Sequence, residues 1–425
     1  MGLFFYTIFT KIYLLGIRLT AYWNPKARKW IAGRSDIFAR MQTELMRAEP
    51  PAANGNIPTI WMHCSSLGEF EQGRPLLEAL RKQYPECRTV LSFFSPSGYE
   101  VIKDQPAADH IFYLPMDSPQ NARRFISLVK PTLVLWVKYD FWYYYLMELS
   151  ARKIPLLLVS GIFRPSQPFF KWYGAIWKKM LDCFTQLFVQ NKNSAELLET
   201  ISLQPLVAVS GDTRFDRVLS IAQDFTELPG ISAFCNGYPV LVAGSTWDED
   251  EVELLHFVNN NPQLRFIIAP HEIDPENLAD LRRQFPASLF YSELGSKEAA
   301  TGKHVLIIDN IGMLSRLYRY ATVTYVGGGF GEDGVHNVLE AAVYGKPVVF
   351  GPVFHKYDEA VGLREAGGAV SASGPLELEA MLEQLFMNQA EREKMGQAAR
   401  KFVQQQAGAT GRIMEYIQAK RLLTS

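Results

Sequence analysis

Several polar loops follow apolar runs in this chain, and their residue types are those that do chemistry. The first loop has the sequence H-C-S-S-L-G-E at positions 63–69. The hydroxyls of Ser65 and Ser66 can cap the helix that follows, and Gly68 permits a tight turn. Glu69 falls in the first turn of that helix. Its carboxylate is suited to act as a general base, or it simply complements the helix dipole.

Two further loops each present a side chain suited to anion or nucleotide binding. Arg214 lies in G-D-T-R-F-D at positions 211–216, directly after an apolar run. Its guanidinium could clamp a phosphate or a sugar carboxylate, or it is a solvated arginine of a turn. His271 follows another run, and we expect it either to contact a nucleotide or to pair with Glu272.

The G-S-T segment at positions 244–246 opens the second half of the chain. Small residues leave backbone N–H groups and the hydroxyls of Ser245 and Thr246 free at a helix N-terminus, which suits phosphate. The acidic run after them is typical of the first turn of a helix, and we favour this over a cation site.

The glycine-rich segment at 326–340 gives the clearest physical signal. Its glycines, Gly334 among them, allow close approach of a phosphate to the backbone. We expect a helix to begin around His336, with His336, Asn337 and Glu340 on its first turns. Glu340 could then accept hydrogen bonds from a ribose, so this segment predicts nucleotide binding.

Short β-branched or leucine-rich runs alternate with helical stretches, which predicts parallel sheets covered by helices. Because such sheets bind ligands at the carboxyl ends of strands, the polar loops are expected to line binding sites. The predicted strands are Thr59–His63, Thr89–Phe94, Thr132–Val137, Leu156–Ser160, Leu187–Gln190 and Val207–Ser210, then Val240–Ala243, Arg265–Ala269, Val305–Ile308, Thr322–Val326 and Pro347–Phe350.

Composition excludes several classes of protein. The chain has 425 residues and a net charge of -1, which gives no overall attraction to nucleic acid. Its four cysteines are far apart and predict neither a zinc site nor disulfides. Cys64 is expected to be a small buried residue, and we predict no metal site and no cofactor.

The N-terminal segment from Gly2 to Trp23 is mostly apolar and aromatic, with Lys11 and Arg18 as its charges. Its uncharged stretch is short for a bilayer span of ~20 residues. We therefore expect an anchor lying in the plane of a membrane, with the basic residues that follow on the cytoplasmic side. The alternative is a first helix packed on the protein's own core.

With these motifs in order, the chain resembles the Kdo transferases, enzymes that move 3-deoxy-D-manno-octulosonic acid from CMP-Kdo onto a lipid A precursor. The turn from Asp309 to Gly312 and the G-x-H-N-x-L-E helix start at 334–340 are also among the motifs that carry this resemblance. It implies a GT-B fold, with two Rossmann-like domains facing a central crevice and an N-terminal membrane-associated helix. It also implies a metal-independent, inverting glycosyltransferase at the cytoplasmic face of the inner membrane, acting in lipopolysaccharide biosynthesis.

The resemblance assigns roles to the motif residues. Glu69 matches the catalytic base, and the donor site would be supplied by Arg214, Ser245, Thr246, His271, Gly312, Gly334, His336, Asn337 and Glu340. The implied domains are an anchor at 1–35, an acceptor domain at 36–225, a linker at 226–237, a donor-binding domain at 238–405 and a helix at 406–425 that crosses back to the first domain.

Two positions depart from the family pattern. Lys138 stands where the family has an acid, while Asp140 keeps the second acid, and the proline-arginine-histidine stretch becomes A-P-H, ending at His271. Lys138 would compensate for the missing arginine. If Asp140 were the base and Glu69 a cap, Asp140→Asn would abolish turnover and Glu69→Gln would leave much of it.

Two other functions share these features. Nucleotide-sugar 2-epimerases have the GT-B architecture but need no lipid acceptor, and a membrane-bound nucleotide-sugar sensor would need no base. An aromatic cluster beside Arg164 argues for a lipid acceptor, since it could bind acyl chains and phosphates, although it could also be packed core. The cluster comprises Phe169, Phe170, Trp172 and Tyr173, with Lys171 among them.

Overall fold

The apolar runs of the sequence form two separate parallel β-sheets. The structure is a computed structural model that describes residues 2–47, 57–138, 140–203, 205–295 and 302–423. These residues divide into unit 1, which comprises 1–217 and 407–425, and unit 2, which comprises 218–406.

Unit 1 is built on a seven-stranded sheet with the order β3-β2-β1-β4-β5-β6-β7. Its strands are β1 Thr59–Cys64, β2 Arg88–Phe93, β3 His110–Tyr113, β4 Leu133–Val137, β5 Leu156–Gly161, β6 Gln186–Val189 and β7 Leu206–Val209. The described residues before unit 2 form the helices α1 Gly2–Thr20, α2 Pro25–Ala32, α3 Ile37–Arg47, α4 Leu67–Gln83, α5 Pro96–Ile102, α6 Pro119–Val129, α7 Tyr143–Ala151, α8 Ala175–Leu181, α9 Lys192–Glu199 and α10 Thr213–Gln223. Helix α10 runs across the boundary between the two units, which lies after Arg217.

Unit 2 repeats this architecture, with the strand order β10-β11-β9-β8-β12-β13-β14. Its strands are β8 Val240–Thr246, β9 Arg265–Pro270, β10 Ser288–Phe290, β11 Val305–Ile307, β12 Val323–Val326, β13 Val348–Phe350 and β14 Ala369–Ser371. Its helices within the described ranges are α11 Ile231–Cys235, α12 Asp248–Asn260, α13 Pro275–Gln284, α14 Leu314–Leu317, α15 Leu339–Ala342, α16 Asp358–Glu365, α17 Pro375–Met387 and α18 Gln389–Gln406. The final helix, α19 Ala409–Ala419, returns to unit 1.

Strand order reverses at one place in each sheet, and this determines where ligands can bind. In unit 1, β1 pairs with both β2 and β4. In unit 2, β8 pairs with both β9 and β12. Loops diverge to opposite faces at such a switch point and leave an opening at the carboxyl ends of the strands. The polar loops after β1, β4, β8 and β12 therefore lie at the two switch points.

The predicted α/β fold class is confirmed, and every predicted strand is present. Three strands were not predicted, namely β3, β10 and β14, and each lies at an edge of its sheet. Each is only three or four residues long. An edge strand is paired on one side only and is often short, so it needs no long apolar run.

The two units divide after Arg217, earlier in the chain than the predicted linker at 226–237. The predicted linker contains helix α11, whose Ile231 and Phe234 are buried. These apolar side chains join the core of unit 2. Residues 407–425 belong to unit 1 and contain α19, and the predicted domain bounds stay predictions.

Candidate functional site

A pair of carboxylates lies at the switch point of unit 1. Glu69 is in the first turn of α4, directly after β1, and Asp140 follows β4. Ser65 links them: its backbone N–H donates to Glu69 Oε2, and its hydroxyl donates to Asp140 Oδ2. The backbone carbonyl of Asp140 in turn accepts a hydrogen bond of 2.5 Å from Trp136 Nε1. Both acids are therefore held in place by fixed donors.

Burial and charge prepare Glu69 to accept a proton near neutral pH. The side chain is 9% exposed, and its pKa rises from the ordinary 4.5 to about 7. Burial is the main cause, and the charge of Asp140 adds to it, whereas the Ser65 N–H and the charge of Lys138 oppose it. Burial also raises the pKa of Asp140. A general base is most effective when its pKa is close to the working pH, as that of Glu69 is.

The remaining residues of this loop have distinct positions. Ser66 is the N-cap of α4, and its hydroxyl accepts from the Glu69 N–H at 3.4 Å. Ser65 does not cap the helix through its hydroxyl, because that group binds Asp140. Gly68 lies inside α4 without a positive φ, so the predicted tight turn is wrong. A Cβ on Gly68 would meet no atom within 4 Å, which leaves open space beside Glu69.

Lys138 occupies an unusual backbone position at the end of β4. Its φ is 56°, in the left-handed region that most residues avoid. Its charge lowers the pKa of both Glu69 and Asp212. Lys138 therefore brings positive charge to the carboxylates of this site.

Arg214 lies in the first turn of α10, and its guanidinium is already bound to a carboxylate. Its Nε and Nη2 lie 2.8 Å and 2.7 Å from Asp212 Oδ2. Burial of Asp212 would raise the pKa of this acid, but Arg214 outweighs that effect and holds it below its ordinary value. The predicted role of Arg214 toward a phosphate or sugar carboxylate remains a prediction, with Asp212 orienting the side chain.

The aromatic segment after β5 divides into a buried and an exposed part. Phe169 is buried in the core of unit 1, whereas Trp172 is 95% exposed and Tyr173 is 50% exposed. Arg164 is exposed, and its backbone N–H donates to Gln167 Oε1. The packed-core alternative applies to Phe169, whereas binding of acyl chains and phosphates by the exposed part of the segment stays a prediction.

In unit 2, the G-S-T segment forms a bulge at the end of β8. Ser245 has a φ of 53°, and the register with β9 shifts there. The Thr246 hydroxyl donates to Glu251 Oε1 at 2.8 Å inside the core, so the prediction that it is free for phosphate is wrong. Thr246 ends a buried strand, and the hydroxyl needs an internal acceptor because water cannot reach it. Ser245 is partly exposed at this bulge.

A stack of three rings lies beside the bulge. The ring of His271 is 4.4 Å from that of Trp247 and 4.5 Å from that of His336, measured between centroids. Trp247 Nε1 donates to His336 Nε2 at 2.8 Å. Since an indole N–H can only donate, His336 Nε2 must accept, and a neutral ring then carries its proton on Nδ1. Burial, followed by the effect of His271, lowers the pKa of His336 to about 4, which favours this neutral form.

The contacts observed for the His271 ring are those of this stack, and the two predicted alternatives, a nucleotide contact and pairing with Glu272, stay predictions. Trp247 was not predicted as a site residue, nor was Asp250, whose carboxylate accepts from Tyr325 Oη at 2.6 Å and from the Gly328 N–H at 2.7 Å. Asp250 thereby fixes the glycine segment. The sequence signal for both was present, in a tryptophan directly after G-S-T and an acid three residues later.

The glycine segment after β12 is mostly irregular backbone. The helix predicted around His336 begins at Leu339, as the four-residue α15. Asn337 explains the delay, since its Oδ1 accepts from the Leu339 N–H and its Nδ2 donates to Glu340 Oε1 at 2.9 Å. Glu340 lies in the first turn as predicted. Gly334 has a φ of 87°, and a Cβ there would lie 2.7 Å from the Val353 carbonyl oxygen.

Two other sequence predictions can be placed. Gly312, which ends the turn after β11, has a φ of 98° that only glycine adopts easily. Cys64 is buried, and burial raises its pKa well above the ordinary value, so its thiol is not activated. Within the described ranges, no group of three or more histidine, cysteine or acidic side chains could hold a metal ion.

The N-terminal helix α1 is long and apolar enough to cross a membrane. Phe4, Phe5 and Ile12 are among its many exposed apolar side chains. The helix also contacts unit 1, because the Tyr6 hydroxyl donates to Asp117 Oδ2 at 2.6 Å and accepts from the Tyr143 N–H at 3.0 Å. The helix therefore packs on the protein along one side, as the second alternative expected, and its exposed apolar side is compatible with a membrane anchor.

Comparison with known proteins places this geometry in context. Residues 37–217 match the family described as 3-deoxy-D-manno-octulosonic-acid transferase (kdotransferase). A protein of Haemophilus influenzae named 3-deoxy-D-manno-octulosonic acid transferase is 25% identical, over 98% of this chain and 98% of its own length. One of Bordetella pertussis with the same name is 25% identical over 96% of this chain and 98% of its own.

Among solved structures, UDP-GlcNAc 2-epimerase from Neisseria meningitidis bound to UDP-GlcNAc is similar in fold. The TM-score is 0.60 at 16% identity, covering 85% of this chain and 100% of the epimerase. At this identity the likeness concerns the fold alone. It agrees with a GT-B architecture of two Rossmann-like units.

Proposed function

Because the chain belongs to the 3-deoxy-D-manno-octulosonic acid (Kdo) transferase family, we propose that it transfers Kdo from CMP-Kdo to a lipid A precursor, lipid IVA. The similar Kdo transferases support a Kdo glycosyltransferase of lipopolysaccharide biosynthesis. The donor, the acceptor, the absence of a metal requirement and the location at the cytoplasmic face of the inner membrane are our proposal. The exposed apolar face of α1 supports the membrane location.

In the proposed reaction, Glu69 is the catalytic base. Its carboxylate takes the proton of an acceptor hydroxyl while the oxygen of that hydroxyl forms a bond to the anomeric carbon of Kdo. The bond from that carbon to the phosphate oxygen breaks on the opposite side, and CMP leaves with the electron pair. A β-linked donor thereby gives an α-linked product, and Glu69 finishes protonated.

The other unit is proposed to bind the donor. Ser245 lies at the carboxyl end of β8, and His271 and His336 follow β9 and β12, at the edge where parallel sheets bind nucleotides. The His336 Nδ1–H is a neutral donor suited to a phosphate or carboxylate oxygen. The remaining proposed donor contacts are Arg214, Thr246 through its backbone, Gly312, Gly334, Asn337 and Glu340.

In unit 1, the proposed acceptor residues surround the base. Ser65, Ser66 and Gly68 belong to the loop of Glu69, and Lys138 and Asp140 to the loop beside it. Arg164 and the exposed Trp172 and Tyr173 offer a cation and aromatic surface to a phosphorylated, acylated sugar.

One observation carries the proposal: a buried carboxylate with a pKa of about 7 at the switch point of unit 1, held by Ser65 and paired with Asp140. Burial destabilises the Glu69 anion, a property that suits a proton acceptor. Burial raises the pKa of Glu251 to about 7 as well, so the position of Glu69 at the switch point beside Asp140 is what distinguishes it.

The test is a vesicle assay with CMP-Kdo and tetraacylated lipid A precursor, in which the lipid product is identified by mass. We expect a gain of one or more Kdo units with the wild type and with Glu78→Gln, an exposed carboxylate on the same helix. We expect no gain with Glu69→Ala. A wild-type protein that is folded but gives no product would refute the proposal.

The epimerase-like fold makes nucleotide-sugar epimerisation the second candidate. An epimerase would act on its nucleotide sugar without a lipid, and a non-catalytic sensor would consume nothing. Free CMP that appears only when the lipid acceptor is added would therefore exclude both alternatives.

A further inference from the structure

A basic cavity of unit 1 lies beside the N-terminal helix, and none of the residues discussed for catalysis lines it. Its volume is about 560 Å³, and its walls come from the second half of α1, from α2, from the start of α3 and from the start of α6. Three arginines line it, Arg18, Arg34 and Arg124, against one carboxylate, Asp36. The cavity therefore has a net charge of +2.

Arg34 is the least exposed member of this set, with a half-buried side chain. Its Nε, Nη1 and Nη2 donate to the backbone carbonyls of Leu114, Trp30 and Phe94 at 2.8, 3.1 and 2.7 Å. Its guanidinium also lies 3.7 Å over the Trp30 ring. These partners fix the side chain but are all neutral, and no carboxylate of the described residues lies within ion-pair distance of it.

A partly desolvated cation without a counter-charge is stabilised when an anion reaches it. Burial lowers the pKa of Arg34 to about 9, so the group is still charged at neutral pH. The guanidinium has five N–H groups, of which the three carbonyls use three. The other two N–H groups have no hydrogen-bond partner among the described residues, and Arg34 lines the cavity.

The other two arginines are exposed and can adjust to a ligand. Arg124 lies on α6, with its guanidinium 4.4 Å from the ring of Phe38. Arg18 lies on α1, where it shares the helix surface with the exposed Leu15 and Leu19. Arginine pairs readily with phosphate because its planar fork matches two oxygens. An apolar surface continuous with such a site favours a phosphate that carries acyl chains.

We propose that this cavity binds the anionic phosphate headgroup of a membrane lipid, whose acyl chains lie along the exposed face of α1. The inference deepens the membrane association in the proposed function, but it requires no donor and no turnover. A binding experiment on the full chain can therefore fail while transferase activity is intact, and the reverse also holds.

The experiment measures co-flotation of the full-length protein with phosphatidylcholine vesicles, with and without phosphatidic acid. The variants are Arg18→Gln and Arg124→Gln, and the matched control is Arg123→Gln, an exposed arginine next in sequence on α6 that does not line the cavity. We expect phosphatidic acid to increase wild-type binding. Each lining variant should then bind such vesicles at least about fivefold more weakly, with the control unchanged.

Two results would overturn the proposal. An equal loss in all three variants would mean general surface charge, and no loss in the lining variants would mean that α1 binds lipid through its apolar face alone. Thermal melts of each variant confirm that the fold is kept, since both lining side chains are exposed.

A second arm separates the two sources of phosphate. Soluble short-chain phosphatidic acid and inorganic phosphate are titrated separately into the detergent-solubilised protein. We expect saturable binding of the lipid that both lining variants weaken. Binding of inorganic phosphate with equal affinity would overturn the lipid assignment in favour of a free-anion site.

Discussion

Replacing Asp140 with asparagine should move the acid limb of the pH–rate profile to lower pH. Asp140 is the second largest cause of the raised pKa of Glu69, after burial. Asparagine keeps an oxygen that can accept from the Ser65 hydroxyl, but it removes the charge. The perturbation is therefore electrostatic, with little change in shape.

The size of the effect follows from the geometry. Ser65 bridges both carboxylates through its N–H and its hydroxyl, which places the two acids within about 10 Å of each other. At an effective dielectric constant of about 20, two charges at that distance interact by roughly 1.7 kcal/mol, or about one pKa unit. At pH 6 a base with a pKa of about 7 is ionised in about a tenth of the molecules, and one with a pKa of about 6 in about half.

We therefore expect kcat/KM of Asp140→Asn at pH 6, relative to its own plateau, to be about fivefold higher than that of the wild type. The assay is CMP release with lipid acceptor present, measured across the pH range. Lys138→Gln provides the opposite test, because loss of its positive charge should move the limb to higher pH.

An unmoved acid limb in Asp140→Asn would refute this electrostatic reasoning. Complete loss of turnover at every pH in Asp140→Asn, with substantial activity left in Glu69→Gln, would instead identify Asp140 as the base.

Three other predictions concern stability and donor binding. Glu69→Gln should raise the free energy of unfolding above pH 7 by up to about 3 kcal/mol. The pKa of Glu69 in the folded protein, about 7, exceeds the ordinary 4.5, so the wild type loses stability as the pH rises from 4.5 to 7. Denaturant unfolding at pH 5 and pH 8 measures the difference. Trp247→Phe removes the N–H that holds His336 and should raise KM for CMP-Kdo about three- to tenfold with little change in kcat. Tyr6→Phe removes a donor to Asp117 and should lower the free energy of unfolding by about 1–3 kcal/mol.

Each of these three predictions has an outcome that would contradict it. A stabilisation of Glu69→Gln that is as large at pH 5 as at pH 8 would contradict the linkage argument. In Trp247→Phe, a fall in kcat with unchanged KM would show that the indole does not act on donor binding. Tyr13→Phe is the matched control for Tyr6→Phe, because the Tyr13 ring contacts Phe94 and its hydroxyl makes no hydrogen bond to the described residues. Equal losses in the two tyrosine variants would point to packing as the cause.

The fold was largely predictable from sequence because strands buried on both faces need continuous apolar runs. β1, with the sequence T-I-W-M-H-C, is fully buried, and its run stands out from the polar loop after it. The edge strands lacked such a signal. The start of α15 was missed for a different reason, since Asn337 binds the Leu339 N–H and holds three more residues outside the helix.

Individual site residues were predictable where their position follows from a strand end, and not where it depends on a partner distant in sequence. Glu69 and Asp140 follow β1 and β4, so the topology alone brings them to one edge. The engagement of Thr246 with Glu251, and of Trp247 with His336, depends on side-chain packing. No spacing rule reports such contacts, because residues 247 and 336 are joined only by the fold.

The return of α19 to unit 1 has a consequence for biosynthesis. Ile413, Met414 and Ile417 are buried in the same apolar cluster as Phe70, on the helix that carries Glu69. Asp216 holds the start of α19 through the N–H groups of Gly408 and Thr410, at 2.6 and 2.7 Å. The ribosome makes the whole of unit 2 before it makes α19. The first domain to be synthesised is therefore completed last, and part of the apolar surface of α4 stays uncovered on the nascent chain until that segment emerges.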